Sequence, residues 1–168
     1  ILEPTTTLWL YYTNVAGGDP LWRTANAFQQ FITRAEKAQM EYDLGNEDII
    51  RRVGKVRGSR FCVGQRAYKT VVLPPETVNL EAATFELLQR FVKKGGRIVC
   101  FSRPTKIDGR DDERLEELFD TTRYPNIVPM QKSEEMLALY EAEAEATVKV
   151  RKGNDVYHQR RQYADGQL

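Results

Sequence analysis

Short apolar runs of strand length recur along the first 145 residues, and segments with helical periodicity separate them. The runs are rich in β-branched and aromatic residues, and apolar side chains occupy both faces, which is typical of buried strands. The run "TTTLWLYYTN" is the first of them. The pattern predicts strands at 5–14, 40–44, 68–75, 97–102 and 126–130.

Apolar residues at spacings of three and four predict two long amphipathic helices between these strands. The first begins at Asp19-Pro20, whose residue types suit an N-cap and a first helical position, and runs to about Gln39. The second is capped by Asn79 and stopped by Gly95-Gly96. The predicted apolar faces are Leu21, Ala25, Phe28, Ile32 and Ala35 in the first helix, and Leu80, Ala83, Leu87 and Phe91, with Leu88 and Val92 beside them, in the second.

Four shorter elements complete the prediction. A helical turn is expected at 47–52, and "GKVRGSRFCVGQ" predicts a hairpin that turns at Gly58-Ser59. The segment "DGRDDERLEELF" predicts a turn and a short helix. A last helix is expected in "SEEMLALYEAEAE", where Glu134 and Glu135 favour the first turn because the helix dipole stabilises acidic residues there.

The alternation of buried strands with helices indicates an α/β fold with a three-layer, open, mostly parallel sheet, as in flavodoxin-like proteins. From residue 147 the pattern changes to short polar-faced strands in "TVKVRKGNDVYHQRRQY". The sequence therefore predicts an α/β domain over 1–146 and, over 147–168, a short β appendage that begins a following β-sandwich or linker.

The last residues include Asp165-Gly166, a strong signal for a two-residue hairpin turn, with no room for a return strand. We interpret the segment as a cut through a larger protein. We expect residues after about 155 to be poorly packed or to borrow a partner, because a strand without a ladder partner is unstable alone.

Composition narrows the classes of function. The 168 residues contain 25 Lys and Arg and 24 Asp and Glu, a net charge of +1, which gives no electrostatic basis for binding nucleic acid or an acidic membrane surface. No apolar run reaches the roughly 18 residues of a membrane span.

The single histidine, His158, excludes a His-rich metal site and any catalytic histidine among the first 157 residues. Cys62 and Cys100 are too few for a disulfide framework and have no CxxC spacing, and the sequence leaves open whether they pair.

In an open α/β sheet, ligands bind at the carboxyl ends of the strands. The loop after the first predicted strand contains Gly17-Gly18 without a phosphate-binding motif, so we interpret it as a turn. Pro74-Pro75-Glu76 occupies the place of a nucleophile elbow after the strand at 68–75. Cys100 lies within a predicted strand, which favours a buried, inert thiol. The sequence shows no catalytic constellation, cofactor site or metal site.

Two acidic clusters have both a chemical and a structural interpretation. Glu47 with Asp48, and Asp108 with Asp111 and Asp112, are candidates for paired acid–base carboxylates, but helix capping explains each more simply. Aromatic residues in the first two segments, Trp9, Tyr11, Tyr12 and Trp22, offer sugar-stacking faces, but those in a central strand are more often core. By fold analogy alone, the residues placed on the substrate side are Tyr12, Asn14, Glu76 and Thr77.

Three stretches, "PTTTLWLYY", "LWRTANAFQQFITRAEKAQMEYDLGNEDII" and "YKTVVLPPETVNLEAATFELLQRFVKKGGRIVCFSRP", carry a resemblance. They resemble the flavodoxin-like, class I glutamine amidotransferase-like accessory domain of large bacterial glycoside hydrolases. Family 106 α-L-rhamnosidases carry such a domain after a catalytic barrel, and family 42 β-galactosidases carry a related one associated with trimerisation. "VYHQRRQYADGQL" resembles the start of the β-sandwich that follows it.

The resemblance implies a non-catalytic domain that braces the catalytic barrel, shapes its cleft or mediates oligomerisation. Its expected partners are the other domains of the parent enzyme and, in homo-oligomers, copies of itself, while carbohydrate stays open. Periplasmic or secreted localisation is implied as well. No catalytic residue can be transferred, because the family's catalytic carboxylates belong to the barrel. The alternative is a free-standing flavodoxin-like protein that binds a cofactor or a sugar.

Overall fold

The computed structural model describes residues 1–12, 19–143, 162–163 and 166–167. These residues form a mixed α/β structure with six helices and small parallel and antiparallel sheets. The helices are α1 (Thr5–Tyr12), α2 (Asp19–Lys37), α3 (Glu47–Val53), α4 (Ala82–Lys93), α5 (Arg114–Leu118) and α6 (Ser133–Glu143). The strands are β1 (Gly54–Arg57), β2 (Arg60–Val63), β3 (Arg66–Tyr68), β4 (Thr70–Leu73), β5 (Asn79–Leu80), β6 (Arg97–Cys100), β7 (Lys106–Ile107), β8 (Arg110–Asp111), β9 (Ile127–Pro129), β10 (Gln162–Tyr163) and β11 (Gly166–Gln167).

The parallel sheet has the order β4-β6-β9, which confirms the strands predicted at 68–75, 97–102 and 126–130. The first residues of the chain extend this sheet beyond β4. The Leu2 N–H donates to the Val72 carbonyl at 2.9 Å, and Leu2 forms a parallel bridge with Gly45 on its other side. Main-chain hydrogen bonds of 2.8 and 3.0 Å join Gly45 to Ile1 and Glu3.

The predicted strand at 5–14 is wrong, because Thr5–Tyr12 form helix α1 and 13–14 lie outside the described residues. The helix starts directly after Pro4, whose carbonyl accepts from the Leu8 N–H at 3.0 Å. The buried hydroxyls of Thr6 and Thr7 bond to other segments, and these tertiary contacts outweigh the β-propensity of the run. The strand predicted at 40–44 is also absent, since the bridge of this segment lies at Gly45.

Helix α2 is confirmed, but its buried face is rotated from the prediction. Thr24, Phe31 and Ala35 are buried, whereas Ala25 is exposed. Helix α4 ends before Gly95-Gly96 as predicted, with Gly95 at φ +83°. It begins at Ala82, so the prediction of Asn79 as its cap is wrong.

Asn79 lies in β5, which pairs with β7, and its side-chain carbonyl accepts from the Gly109 N–H at 2.8 Å. The β7–β8 turn that contains Gly109 is thus tied to β5 by a side chain as well as by the ladder. Because Asn79 and Leu80 pair with β7, they are extended and α4 begins only at Ala82.

The hairpin predicted at 54–65 is confirmed. Arg57 pairs with Arg60, which leaves Gly58-Ser59 as a two-residue turn, and Gly58 adopts φ +53°. Strand β3 adds a third antiparallel strand to this hairpin. The helices predicted near 47–52 and 108–119 are confirmed as α3 and α5. The helix predicted at 133–145 is confirmed as α6 up to Glu143, and 144–145 lie outside the described residues; Glu134 and Glu135 lie in its first turn.

The parallel strands contribute alternate residues to two hydrophobic clusters. Val71, Leu73 and Ile98 pack with side chains of α3, α4 and α5 in one cluster. Val72 and Val99 belong to the other, with side chains of α2 and α6. Successive strand residues point to opposite faces, so both faces of the sheet are covered.

The predictions for the tail fall largely outside the described residues, including the change of pattern at 147 and the packing after 155. Within the described part, β10 pairs with β11 in antiparallel register, with Tyr163 opposite Gly166. Gly166 therefore lies in a short return strand and not in the turn, which corrects the expectation of a hairpin without one.

Candidate functional site at the carboxyl edge of the parallel sheet

The segments that follow the parallel strands collect at one edge of the sheet, where ligands of open α/β sheets bind. Glu76 follows β4 and Ser102 follows β6, its neighbour in the sheet. The Glu76 N–H donates to the Ser102 hydroxyl oxygen at 2.8 Å, so one hydrogen bond joins the two loops. This edge is the candidate functional site.

Glu76 adopts a left-handed conformation with φ +63°. A non-glycine residue in this region carries strain of roughly 1 to 3 kcal/mol, and such strain clusters at functional sites. The Glu76 carboxylate lies 3.0 Å from Nε of Arg23, which reaches it from the second turn of α2. The strained turn after β4 therefore presents a partly exposed ion pair.

The other substrate-side predictions have different outcomes. Thr77 is next to Glu76, but its side chain is buried and its hydroxyl donates to the Pro74 carbonyl at 2.8 Å, so it stabilises the turn. Tyr12 is 71% exposed at the end of α1. Asn14 lies outside the described residues. Of the three residues that the structure describes, Glu76 has the position best suited to contact a ligand.

Glu47 occupies the first turn of α3, as the capping interpretation predicts, but its side chain has a larger role. It is only 1% exposed and accepts hydrogen bonds from the Thr6 hydroxyl at 2.6 Å and the Glu81 N–H at 2.8 Å. Burial raises the pKa of Glu47, although these two hydrogen bonds oppose the shift. The carboxyl joins α1, α3 and the start of α4, which the sequence analysis missed because no local pattern encodes these contacts.

The second acidic cluster is dispersed among separate structural contacts. Asp108 accepts from the Ala82 N–H at 3.0 Å, and Asp111 pairs with Lys106 at 2.7 Å. Asp112 accepts from the main chain and the guanidinium of Arg114, which lowers the pKa of Asp112. The capping prediction for Asp111 or Asp112 is met by Asp112, whose side chain accepts from the Arg114 N–H at 3.0 Å, although Glu113, in a helical conformation, directly precedes α5. Each carboxylate thus has a structural partner.

The cysteines are both buried and unpaired, which resolves the question of a disulfide. The Cys100 thiol lies 3.0 Å from the Ser102 carbonyl, close to the candidate site. Burial raises the pKa of Cys100 to about 12, against a smaller opposite effect of Arg103. The thiol therefore stays protonated at neutral pH and is a poor nucleophile.

Three of the four aromatic residues considered for sugar stacking are exposed, contrary to the preferred interpretation, and the fourth, Tyr11, is partly buried. Trp9 is 63% exposed and Trp22 is 72% exposed, and Tyr12 is exposed with them. Trp9 and Tyr12 share one face of α1 because they are three residues apart. Helix α1 packs against α2, whose first turn carries Trp22 beside Arg23. No sequence pattern marks Arg23 and Ser102 as site residues, since only the fold brings them to Glu76.

The part of the chain that the structure describes contains neither a metal-binding cluster nor a membrane-spanning helix. Within 1–12, 19–143 and the two short tail strands, no group of three or more His, Cys, Asp or Glu side chains could hold a metal ion. The helices described over the same ranges include none that is long and apolar enough to cross a membrane.

Comparisons with known proteins leave the family undetermined. No protein-family model, no curated protein and no solved structure matches this chain.

Proposed function

We propose that this chain is a non-catalytic, flavodoxin-like accessory domain of a larger bacterial glycoside hydrolase. In this role it braces the catalytic barrel, shapes its cleft or mediates oligomerisation. The observation that supports the proposal is the turn after β4, which holds Glu76 and no Ser or Cys where an amidotransferase-type sheet would have its nucleophile. The N–H of Glu76 donates to Ser102 and its carboxylate pairs with Arg23, so both groups have partners within the fold.

The order of extended segments supports a flavodoxin-like arrangement. Gly45 bridges Leu2, Leu2 bonds to Val72 in β4, and β4 is followed in the sheet by β6 and β9. Numbered along the chain, this is the order 2-1-3-4-5 of flavodoxin-like sheets. Helices pack against both faces of the sheet, as the three-layer arrangement requires.

The alternative of a free-standing cofactor-binding protein is less well supported. A flavin phosphate favours backbone N–H groups and positive charge at the carboxyl edge. Here the turn after β4 contributes the negatively charged Glu76 carboxylate. The main-chain N–H of Glu76 already donates to the Ser102 hydroxyl oxygen. The resemblance of "YKTVVLPP" and its flanking segments to the glycoside hydrolase domain favours the accessory role.

The test compares the 168-residue chain with the full product of the reading frame that contains it. Both are assayed on a panel of 4-nitrophenyl glycosides, and the purified chain is examined for flavin absorbance. We expect hydrolysis by the full product only, and a colourless 168-residue chain. Turnover by the chain alone, bound flavin, or a full product with no glycosidase activity would contradict the proposal.

A further inference from the structure

We infer that the outward surface of the β1–β2–β3 sheet binds an acidic polysaccharide through Lys55, Arg57 and Arg60. We call the surface formed by these three residues the basic face. The inference rests on the proposed function and deepens it, because it assigns the accessory domain a class of carbohydrate ligand.

Positive charge is concentrated in one segment of the chain, although the net charge is only +1. Residues 51–69 contain seven Lys and Arg and no Asp or Glu, and they form the end of α3 and the strands β1 to β3. The other residues of the chain carry 18 Lys and Arg against 24 Asp and Glu, a net charge of −6. The antiparallel sheet is therefore a local region of positive charge on an otherwise acidic chain.

The register of this sheet places three of the cations on one surface. Val56 in β1 and Phe61 in β2 pack into the hydrophobic cluster that contains the side chains of α4. Successive strand residues point to opposite faces, so Lys55 and Arg57 in β1 and Arg60 in β2 point away from that cluster. Lys55 and Arg57 are exposed and Arg60 is partly exposed, which agrees with this orientation.

Arg57 and Arg60 are directly opposite each other in the ladder, on either side of the Gly58-Ser59 turn. The Cβ atoms of such a pair are about 4.5 to 5.5 Å apart, and like charges in these positions destabilise the sheet. None of the three cations of the basic face forms an ion pair with another residue that the structure describes. A ligand with closely spaced anionic groups would convert this repulsion into attraction.

A polyuronate has the chemistry that the basic face requires, because it carries one carboxylate on each sugar. The planar guanidinium of an arginine binds a carboxylate through two parallel N–H groups. Lys55 extends the row of charges, since residues two apart in a strand are roughly 7 Å apart. Successive carboxylates of one polymer chain can therefore contact all three cations on an open surface, without a pocket.

Nucleic acid fits the basic face less well. Single-stranded nucleic acids bind on aromatic rings that stack with the bases, but Phe61 and Tyr68 in this sheet pack toward the core. Duplex nucleic acid has a much denser negative charge, and domains that bind it are basic overall. The residues outside 51–69, with their net charge of −6, would repel a duplex.

The test is fluorescence anisotropy of labelled oligosaccharides of galacturonate, mannuronate and glucuronate, titrated with the folded 168-residue chain. We expect at least one of them to bind, and its affinity to fall as NaCl rises from roughly 20 mM to roughly 200 mM, because exposed charges are screened. The matched control ligand is the methyl ester of the same oligosaccharide, which has the same sugars without the charge. No binding of any oligouronate, equal binding of the ester, or tighter binding of a DNA duplex would overturn the inference.

Charge-removing variants assign the binding to the basic face. Arg57→Gln and Arg60→Gln should each raise the dissociation constant roughly tenfold, the equivalent of one charged contact. Arg34→Gln is the matched control, because it removes the same charge from an exposed position on α2, and α2 packs on the other face of the parallel sheet. Unchanged affinity in Arg57→Gln and Arg60→Gln, or an equal loss in Arg34→Gln, would overturn the inference.

Arg60→Glu separates loss of binding from loss of folding. The substitution places a carboxylate opposite Arg57, so a repulsive cross-strand pair becomes an attractive one. We expect oligouronate binding to be lost while the midpoint of thermal unfolding rises by about 1 to 3 °C. Unchanged binding in this variant would overturn the inference. A lowered midpoint would also count against it, because the two arginines would then not be a cost to the fold.

Light scattering separates carbohydrate binding from self-association between a basic face and the acidic surface of a second copy. A chain that is oligomeric at low salt, and that Arg57→Gln converts to a monomer, would identify the basic face as a protein interface and overturn the inference. Failure to bind any oligouronate, with glycosidase activity in the full product, rejects only the polysaccharide site. Turnover by the isolated chain instead rejects the proposed accessory function.

Discussion

The Glu47 carboxylate accepts a hydrogen bond of 2.8 Å from the main-chain N–H of Glu81, the residue that precedes α4. The start of α4 is thus capped by a residue 34 positions earlier in the chain. The Glu81 side chain makes no capping hydrogen bond, and Asp108 accepts from the next N–H, that of Ala82. Two distant carboxyl groups therefore replace the local cap that helices usually have.

Replacing Glu47 with alanine should destabilise the fold. The change leaves the Glu81 N–H without its buried acceptor and the Thr6 hydroxyl without its 2.6 Å partner. Leaving one such buried group unsatisfied costs about 1 to 3 kcal/mol. We expect a loss of that size in the free energy of unfolding, measured by urea denaturation at pH 7. Ile49→Ala, which removes an exposed side chain from the same helix, is the control. An unchanged free energy for Glu47→Ala would show that the cap contributes nothing.

The pH dependence of stability should reflect the raised pKa of Glu47. Its pKa is higher in the folded chain than in the unfolded chain, so the folded state binds the proton more tightly. The stabilising contribution is complete below the unfolded value of 4.5 and is lost as the pH rises through the folded value. Protonated Glu47 can donate to Thr6, whose hydroxyl then donates to the Asn79 carbonyl at 3.3 Å.

Glu47→Gln keeps the acceptor for Glu81 and supplies a neutral donor to Thr6. We expect this variant to be at least as stable as the parent at pH 7 and to lose the Glu47 part of the pH dependence. Urea denaturation at a series of pH values from 4 upward measures both effects. If the free energy of unfolding changes with pH in the same way in the parent and in Glu47→Gln, the pH dependence does not come from Glu47.

The two glycines after α4 should respond differently to alanine. A Cβ on Gly96 would lie 2.0 Å from the Phe91 ring, so Gly96→Ala overpacks the core and should cost about 1 to 3 kcal/mol. A Cβ on Gly95 meets no atom within 4 Å, but Gly95 has φ +83°. Gly95→Ala should therefore cost about 1 to 2 kcal/mol through backbone strain alone. Substituting Phe91 with leucine should relieve the penalty in Gly96→Ala and leave that of Gly95→Ala unchanged, as thermal unfolding would show.

The strain at Glu76 can be isolated by comparing two substitutions. Both Glu76→Ala and Glu76→Gly remove the ion pair with Arg23, but only glycine adopts φ +63° without a steric penalty. We expect the glycine variant to be about 1 kcal/mol more stable than the alanine variant. Equal melting curves for the two variants would indicate that the turn relaxes when the side chain is lost.

Neither cysteine should react in the folded chain. Both thiols are buried, and the pKa of Cys100 is about 12. Because the thiolate is the nucleophile, we expect no rapid reaction with Ellman's reagent at pH 8 and release of two equivalents after denaturation in guanidinium chloride. Rapid labelling of one thiol in the native chain would indicate local opening around that cysteine.

Local sequence patterns were sufficient for many elements of the fold. The apolar runs that became β4, β6 and β9 and the turn at Gly58-Ser59 were predicted because their signals lie within a few residues of each other. The alternation of strands and helices also predicted a parallel sheet with its ligand-side loops at the carboxyl ends of the strands. Glu76 was placed there by the same argument, although its partners Arg23 and Ser102 were not.

Only the tertiary structure decided the conformation of Thr5–Tyr12 and the environment of its side chains. Its β-branched and aromatic residues predict a strand, but Thr6 and Thr7 bond to residues 41 to 73 positions away and the segment becomes α1. The exposure of Trp9 and the burial of Glu47 have the same origin. Periodicity and residue type thus determined most strands and helices, because those signals are local. Long-range hydrogen bonds and packing decided which side chains meet at the carboxyl edge, since these contacts exist only once the chain has folded.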